Sequence, residues 1–131
     1  HASPTDIEWA VSIFAAVGET AVLEERLMNA VTGVSGSGPA YVFALAEALV
    51  NAGIDEGLGY EDADLLVRQT LLGAAALLSQ SGKSPKELRE AVTSPNGTTA
   101  AAISIFEQMG FQGILLDAVS AATQRAEELG S

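Results

Sequence analysis

Two segments set hydroxyl groups beside glycine directly ahead of an apolar, alanine-rich stretch. They are Thr93-Ser94-Pro95-Asn96-Gly97-Thr98-Thr99 and Ser35-Gly36-Ser37-Gly38-Pro39-Ala40-Tyr41. Each predicts a turn that opens into a helix. The first N–H groups of a helix have no intrahelical partner, so such a turn makes a small pocket for an anion, with hydroxyls at its rim. Glycine lets a ligand approach the backbone closely. Taken singly, each segment reads first as an ordinary turn and helix cap, or as a flexible joint.

Other reactive constellations are absent from the sequence. There is no cysteine, which excludes disulfides, thiolate zinc sites and cysteine nucleophiles. The only histidine is His1, which reads as a cleavage-site or tag remnant. A Ser-His-Asp triad or an imidazole base is therefore excluded. Glu61, Asp62 and Asp64, and likewise Glu127 and Glu128, read as solvated helix ends, and no metal site is expected. Glu47 and Asn51 lie four apart on one face of an apolar helix and read as interface hydrogen-bonding groups. Trp9 and Tyr41 read as packing residues.

Helix signals dominate the elements that must carry the two turns. Ser3-Pro4-Thr5-Asp6 is a helix start, with a serine cap, proline at the first helical position and an acid in the first turn. Ile7, Val11, Phe14 and Ala15 continue it at helical spacing until Gly18. Thr20–Glu24 predicts one short β-strand, and Glu25–Val31 a short helix or turn. Pro39–Asn51 predicts a helix that ends by Gly53, and Tyr60–Ser81 a long one. Ser84-Pro85-Lys86-Glu87 is a capping box whose helix reaches about Val92. Thr99–Met109 and Ile114–Leu129 predict two more, separated near Gly110-Phe111. Six or seven helices with at most one strand give an all-α domain.

The chain has 131 residues, 48% of them hydrophobic, enough for one domain with a core. Seventeen acidic residues against six basic ones give a net charge of −11, without a basic cluster. Nucleic acid and anionic membranes are thus disfavoured partners. The longest apolar stretches, Pro39–Val50 and Leu71–Leu78, are too short to span a membrane. The beginning carries Asp6 and Glu8 and no basic start, so no secretory signal is read, and a cytoplasmic protein is expected. The helices at 39–51 and 65–78 are apolar nearly all round, which predicts burial on several sides. Gly73, Ala74, Ala75 and Ala76 would let a neighbouring helix approach closely. A second copy of the chain is the expected neighbour.

Taken together, the motifs resemble the C-terminal domain of the pyrroline-5-carboxylate reductase family. Val31-Thr32-Gly33-Val34-Ser35-Gly36-Ser37-Gly38-Pro39-Ala40-Tyr41-Val42-Phe43 is similar to the first segment of that domain. Ala52-Gly53-Ile54, Gly57-Leu58, Gln69-Thr70 and Gly73-Ala74-Ala75 continue in register. Leu88-Arg89, Val92-Thr93-Ser94-Pro95, Gly97-Thr98-Thr99, Gly110-Phe111, Ala118-Val119, Arg125 and Glu128-Leu129 complete it. The resemblance covers roughly residues 19 to 131. Asn96 stands where the family usually has glycine, and Leu58-Gly59 replaces its usual Leu-Pro. Asparagine tolerates left-handed geometry better than most residues.

The resemblance implies an interlocked helical dimerisation domain of the 6-phosphogluconate-dehydrogenase-like type, over residues 25–131. Residues 1–24 would then be the last helix and strand of a dinucleotide-binding Rossmann domain that lies mostly outside this sequence. It implies NADPH- or NADH-dependent reduction of L-1-pyrroline-5-carboxylate to L-proline, the last step of proline biosynthesis, in a homodimer or a larger ring. By the same resemblance Thr99 is the catalytic hydroxyl that orients the ring nitrogen and its proton. Ser94, Gly97, Thr98 and Thr99 bind substrate. Ser35, Gly36 and Ser37 line the nicotinamide side once the other domain is present. Gly33, Gly36 and Gly38 are spaced three then two, the reverse of the dinucleotide fingerprint. On its own the segment is therefore expected neither to hold the dinucleotide nor to turn over. Two other readings remain at this point: the helical domain of a related small-carboxylate dehydrogenase, and a non-catalytic oligomerisation module whose turns are mere caps.

Overall fold

A computed structural model describes residues 2–130; His1 lies outside the described residues. Seven α-helices follow one another: α1 Pro4–Phe14, α2 Met28–Val31, α3 Gly38–Asp55, α4 Tyr60–Gln80, α5 Pro85–Ala91, α6 Thr98–Gln108 and α7 Phe111–Gly130. A 3₁₀ turn, Glu25–Leu27, leads into α2, and a π-helical turn, Thr32–Gly36, joins α2 to α3. The all-α expectation holds. The strand expected at Thr20–Glu24 does not form, and no strand occurs among the described residues. An extended segment becomes a strand only when a neighbour takes up its backbone groups, and none does so here.

The caps explain most helix boundaries. Ser3 Oγ accepts from Asp6 N while the Asp6 carboxylate accepts from Ser3 N, and Ser84 with Glu87 repeats this box at α5. Gly18 does not stop α1, which ends at Phe14 and relaxes through a turn over 15–17. Gly53 does not stop α3 either. It sits inside the helix, where a β-carbon would lie 3.3 Å from Leu58 Cδ1 and 3.4 Å from Ala63 Cβ. The stop is Gly57, at φ 99°. There Leu58 N–H returns to Gly53 O and Gly57 N–H to Ile54 O, a Schellman closure. Gly59 caps α4 at φ −66°, a value that proline also adopts.

α3 and α4 form a helical hairpin, while α7 packs on α2, on the π-turn and on α6. The π-turn also touches α3 and so links the two groups. Yet within one chain there is almost no core. Ala63, 1% exposed, is the one buried hydrophobic residue among those described. Phe43, Leu65, Leu72 and Leu116 all remain at least 64% exposed, and Trp9, expected to pack, is 68% exposed. Apolar surface on this scale marks an interaction face.

Candidate functional site

The segment between α5 and α6 folds as its residue types dictate. Thr93 Oγ1 donates to Arg89 O at 2.6 Å and closes the end of α5. Pro95 and Asn96 then fill the two corners of a turn that Gly97 N–H closes on Ser94 O at 3.0 Å. Asn96 takes φ 61°, the left-handed conformation expected of it. Proline followed by a residue at positive φ is the type II pattern.

Gly97 is the N-cap of α6, at φ −80° and ψ 170°, and no side chain caps this end. Ala101 N–H makes the first return bond, to Gly97 O. The N–H groups of Thr98, Thr99 and Ala100 therefore stand without an intrahelical partner, at the positive end of the helix dipole. The Gly97 N–H is not among them, because the turn consumes it. The role of this glycine is clearance, because a β-carbon there would lie 2.5 Å from Ser94 Oγ and 3.1 Å from Ser94 O. Thr99 and Ala100 are half-buried, whereas Ser94 and Thr98 are exposed. Ser94, Gly97, Thr98 and Thr99 thus lie together at an open helix start.

The Ser35–Gly38 segment is different. It was expected to be a turn with free N–H groups, and it is instead the tail of a π-turn. Ser37 N–H donates to Thr32 O at 2.8 Å, and Ala40 N–H to Ser37 O at 3.0 Å. Ser37 has helical angles and its side chain caps nothing. The Ser35 and Ser37 hydroxyls form no hydrogen bond among the described residues, so they are available on a fixed turn. Gly33 is buried against α7, where a β-carbon would lie 2.5 Å from Thr123 Oγ1 and 3.0 Å from Val119 O. Tyr41 donates its hydroxyl to Gly33 O at 2.9 Å, so it does more than pack. Within one chain the π-turn packs on α2, α3 and α7, and shares no extensive contact with α6.

Two grooves lie elsewhere on the surface, each about 580 Å³. One, between α3 and α4, is lined by Phe43, Glu47, Asn51, Asp64 and Arg68 among others. There Arg68 Nε donates to Asp64 Oδ2 at 2.7 Å and holds the Asp64 carboxyl below the usual carboxylate range. The other runs past Leu45, Arg89, Ile103 and the stacked Phe106–Phe111 pair, whose rings lie 5.0 Å apart. Neither groove was legible in the sequence: the first forms across the α3–α4 hairpin, and the second is assembled from α3, α5, α6 and α7. No cluster of potential metal ligands occurs among the described residues. No helix among them is long and apolar enough to cross a membrane.

The family model for pyrroline-5-carboxylate reductase dimerisation matches residues 25–129. The chain belongs to this family. Among pyrroline-5-carboxylate reductase relatives, that of Synechocystis sp. is 46% identical over 127 residues, covering 97% of this chain and 48% of the relative. That of Pseudomonas aeruginosa is 48% identical over 128 residues, covering 97% of this chain and 47% of its own. The chain therefore spans about half the length of the reductase relatives it matches. The solved Coxiella burnetii pyrroline-5-carboxylate reductase superposes with a TM-score of 0.92 at 40% identity, over 98% of this chain and 48% of that one. The Plasmodium falciparum pyrroline carboxylate reductase, solved with NADP bound, does so at 0.86 and 32% identity, over 100% and 53%.

Proposed function

We propose that this chain is the substrate-binding and dimer-forming part of a pyrroline-5-carboxylate reductase, which reduces L-1-pyrroline-5-carboxylate to L-proline with NADPH or NADH. The observation that carries this reading is the open start of α6. Thr98, Thr99 and Ala100 leave their N–H groups without an intrahelical partner there, no side chain caps the end, and Thr99 and Ser94 bring hydroxyls to the same short segment. A cyclic imine acid offers a carboxylate and a C=N bond. The carboxylate takes the N–H groups of Thr98, Thr99 and Ala100, where the dipole favours negative charge. The Thr99 hydroxyl, at the second helical position, hydrogen-bonds the ring nitrogen and orients it for its proton. A threonine hydroxyl is too weak an acid to drive that protonation, so its contribution is positional.

The described residues fit only one end of a dinucleotide. They contain no parallel sheet, and hence no strand-end crevice for a pyrophosphate. The free Ser35 and Ser37 hydroxyls on their fixed turn suit a polar carboxamide. When bound, the nicotinamide supplies the hydride to the imine carbon. The pyrophosphate seat belongs to a domain of the complete enzyme, of which residues 1–24 are the tail. A second copy of the chain covers the apolar faces of α3, α4 and α7, giving a homodimer or a larger closed ring. A cytoplasmic location belongs to the same reading.

The test is turnover by the complete protein. Loss of nicotinamide absorbance with pyrroline-5-carboxylate, and none with an acyclic keto acid, is the expected result. Turnover of a different small carboxylate in its place assigns the domain to another dehydrogenase. No turnover with any such compound, together with intact dimers, makes it an oligomerisation module.

A further inference from the structure

In a regular α-helix the carbonyl of Gly33 would accept from the N–H four residues on, that of Ser37. Here Ser37 N–H reaches one residue further back, to Thr32 O, and Gly33 O takes the Tyr41 hydroxyl in its place. The bond is partly buried and spans eight residues, from the second turn of α3 back to the start of the π-turn. Gly33 is also the residue on which α7 closes, so its position is fixed from the other side by Val119 and Thr123. Thr123 Oγ1 is itself held, donating to Val119 O at 2.9 Å. π-Helical turns of this kind cost hydrogen-bond geometry and recur at functional sites. Here the displaced Gly33 carbonyl is satisfied by the Tyr41 hydroxyl, 2.9 Å away.

We infer that Tyr41 is a positioning residue. Its hydroxyl holds Thr32–Gly36 in the π register, and so sets where Ser35 and Ser37 present their hydroxyls to the nicotinamide end of the dinucleotide. Without it, a partly buried Gly33 carbonyl lacks a partner. Its α-helical donor is Ser37 N–H, whose capture returns the segment to α-helical register and moves both serines. This rests on the reading of Ser35–Ser37 as the nicotinamide side of a reductase site.

The experiment uses the complete reductase and compares Tyr41→Phe with Ser35→Ala and Ser37→Ala. Binding of NADPH is followed by calorimetry, beside KM for each substrate and kcat. Tyr41→Phe is expected to weaken NADPH binding and raise its KM by about three- to tenfold, the effect of one lost hydrogen bond. KM for the imine acid should stay within about twofold, because the α6 start is untouched. If the serine variants weaken NADPH binding and Tyr41→Phe does not, the positioning role is overturned while the site reading stands. If neither serine variant changes NADPH binding, the site reading itself falls, and the positioning role with it. A Tyr41→Phe protein with a lower melting temperature and unchanged NADPH binding has lost only a structural bond, which also overturns the inference. Were Tyr41→Phe not to fold, 4-aminophenylalanine at position 41, which keeps the ring and a donor for Gly33 O, is expected to keep NADPH binding near that of the unaltered enzyme. A folded protein of this kind that loses NADPH binding overturns the positioning role.

Discussion

Ser35–Gly38 and Ser94–Thr99 look alike in composition and are built oppositely. The second is an open helix start, with three N–H groups lacking an intrahelical partner beside a glycine that has no room for a β-carbon. The first turns its Ser37 N–H inward to Thr32 O and leaves the Ser35 and Ser37 hydroxyls unbonded among the described residues, on a turn pinned by Tyr41 and α7. One leaves donors open at a helix start, as the proposed carboxylate site requires, and the other ties its backbone to its neighbours. A hydroxyl-and-glycine pattern therefore specifies a backbone that deviates from a plain helix, but not the direction of the deviation.

The comparison is broken most severely at the α6 start. Thr99→Val keeps shape and removes the hydroxyl. In the complete enzyme it should lower kcat by about 10²–10⁴-fold, the range for a well-placed proton-transfer group, with dimers intact by sedimentation. Unchanged turnover would remove Thr99 from the chemistry. Gly97→Ala comes next. Its β-carbon meets Ser94 Oγ at 2.5 Å, which pushes the turn off the helix start. Since a misplacement of about 1 Å can cost roughly 10²-fold, kcat/KM should fall by roughly ten- to a hundredfold.

At the other turn, the measure is stability. Gly33→Ala drives a β-carbon to 2.5 Å from Thr123 Oγ1 and 3.0 Å from the Val119 carbonyl, and a backbone atom cannot swing away. Overpacking of this kind costs about 1–3 kcal/mol in thermal or urea unfolding. Gly36→Ala, whose β-carbon would make only a 3.6 Å contact with Thr32, is expected to leave unfolding nearly unchanged. Equal costs at both positions would contradict the packing of α7 on Gly33.

The smallest effect lies at a third helix start, which sharpens the contrast because it is closed. At α5 the Glu87 carboxylate accepts from the Ser84 hydroxyl and backbone N–H, and these bonds hold it below its ordinary value of 4.5. A carboxyl depressed on folding stabilises fully above its unfolded value, and the contribution fades as pH falls through the folded one. An acid titration followed by circular dichroism should therefore show α5 weakening below about pH 4.5. Ser84→Ala should flatten that dependence, whereas changes at the uncapped α6 start should leave it as it is.

Much of this was legible in the residues themselves. The serine cap at Ser3, the capping box at Ser84 and the left-handed Asn96 follow from local chemistry and appear where expected, and the helix expected over Tyr60–Ser81 ends one residue earlier, at Gln80. What was not legible depends on distant partners. Gly53 looked like a stop but is a contact point for Leu58 and Ala63, and the stop is the glycine four residues on. Thr20–Glu24 has strand composition and no neighbour to pair with among the described residues. The π register of Thr32–Gly36 is decided by a hydroxyl in the next helix and by α7, some ninety residues along the chain. No short window of sequence contains that information.

A chain with Ala63 as the one buried apolar residue among those described has little to hold it together alone. In the proposed dimer, folding and association then become one equilibrium, governed by mass action. The melting temperature should climb with protomer concentration, and dilution should unfold the chain rather than release intact monomers. Symmetry adds a multiplier, because every substitution on the shared face enters the assembly once per protomer.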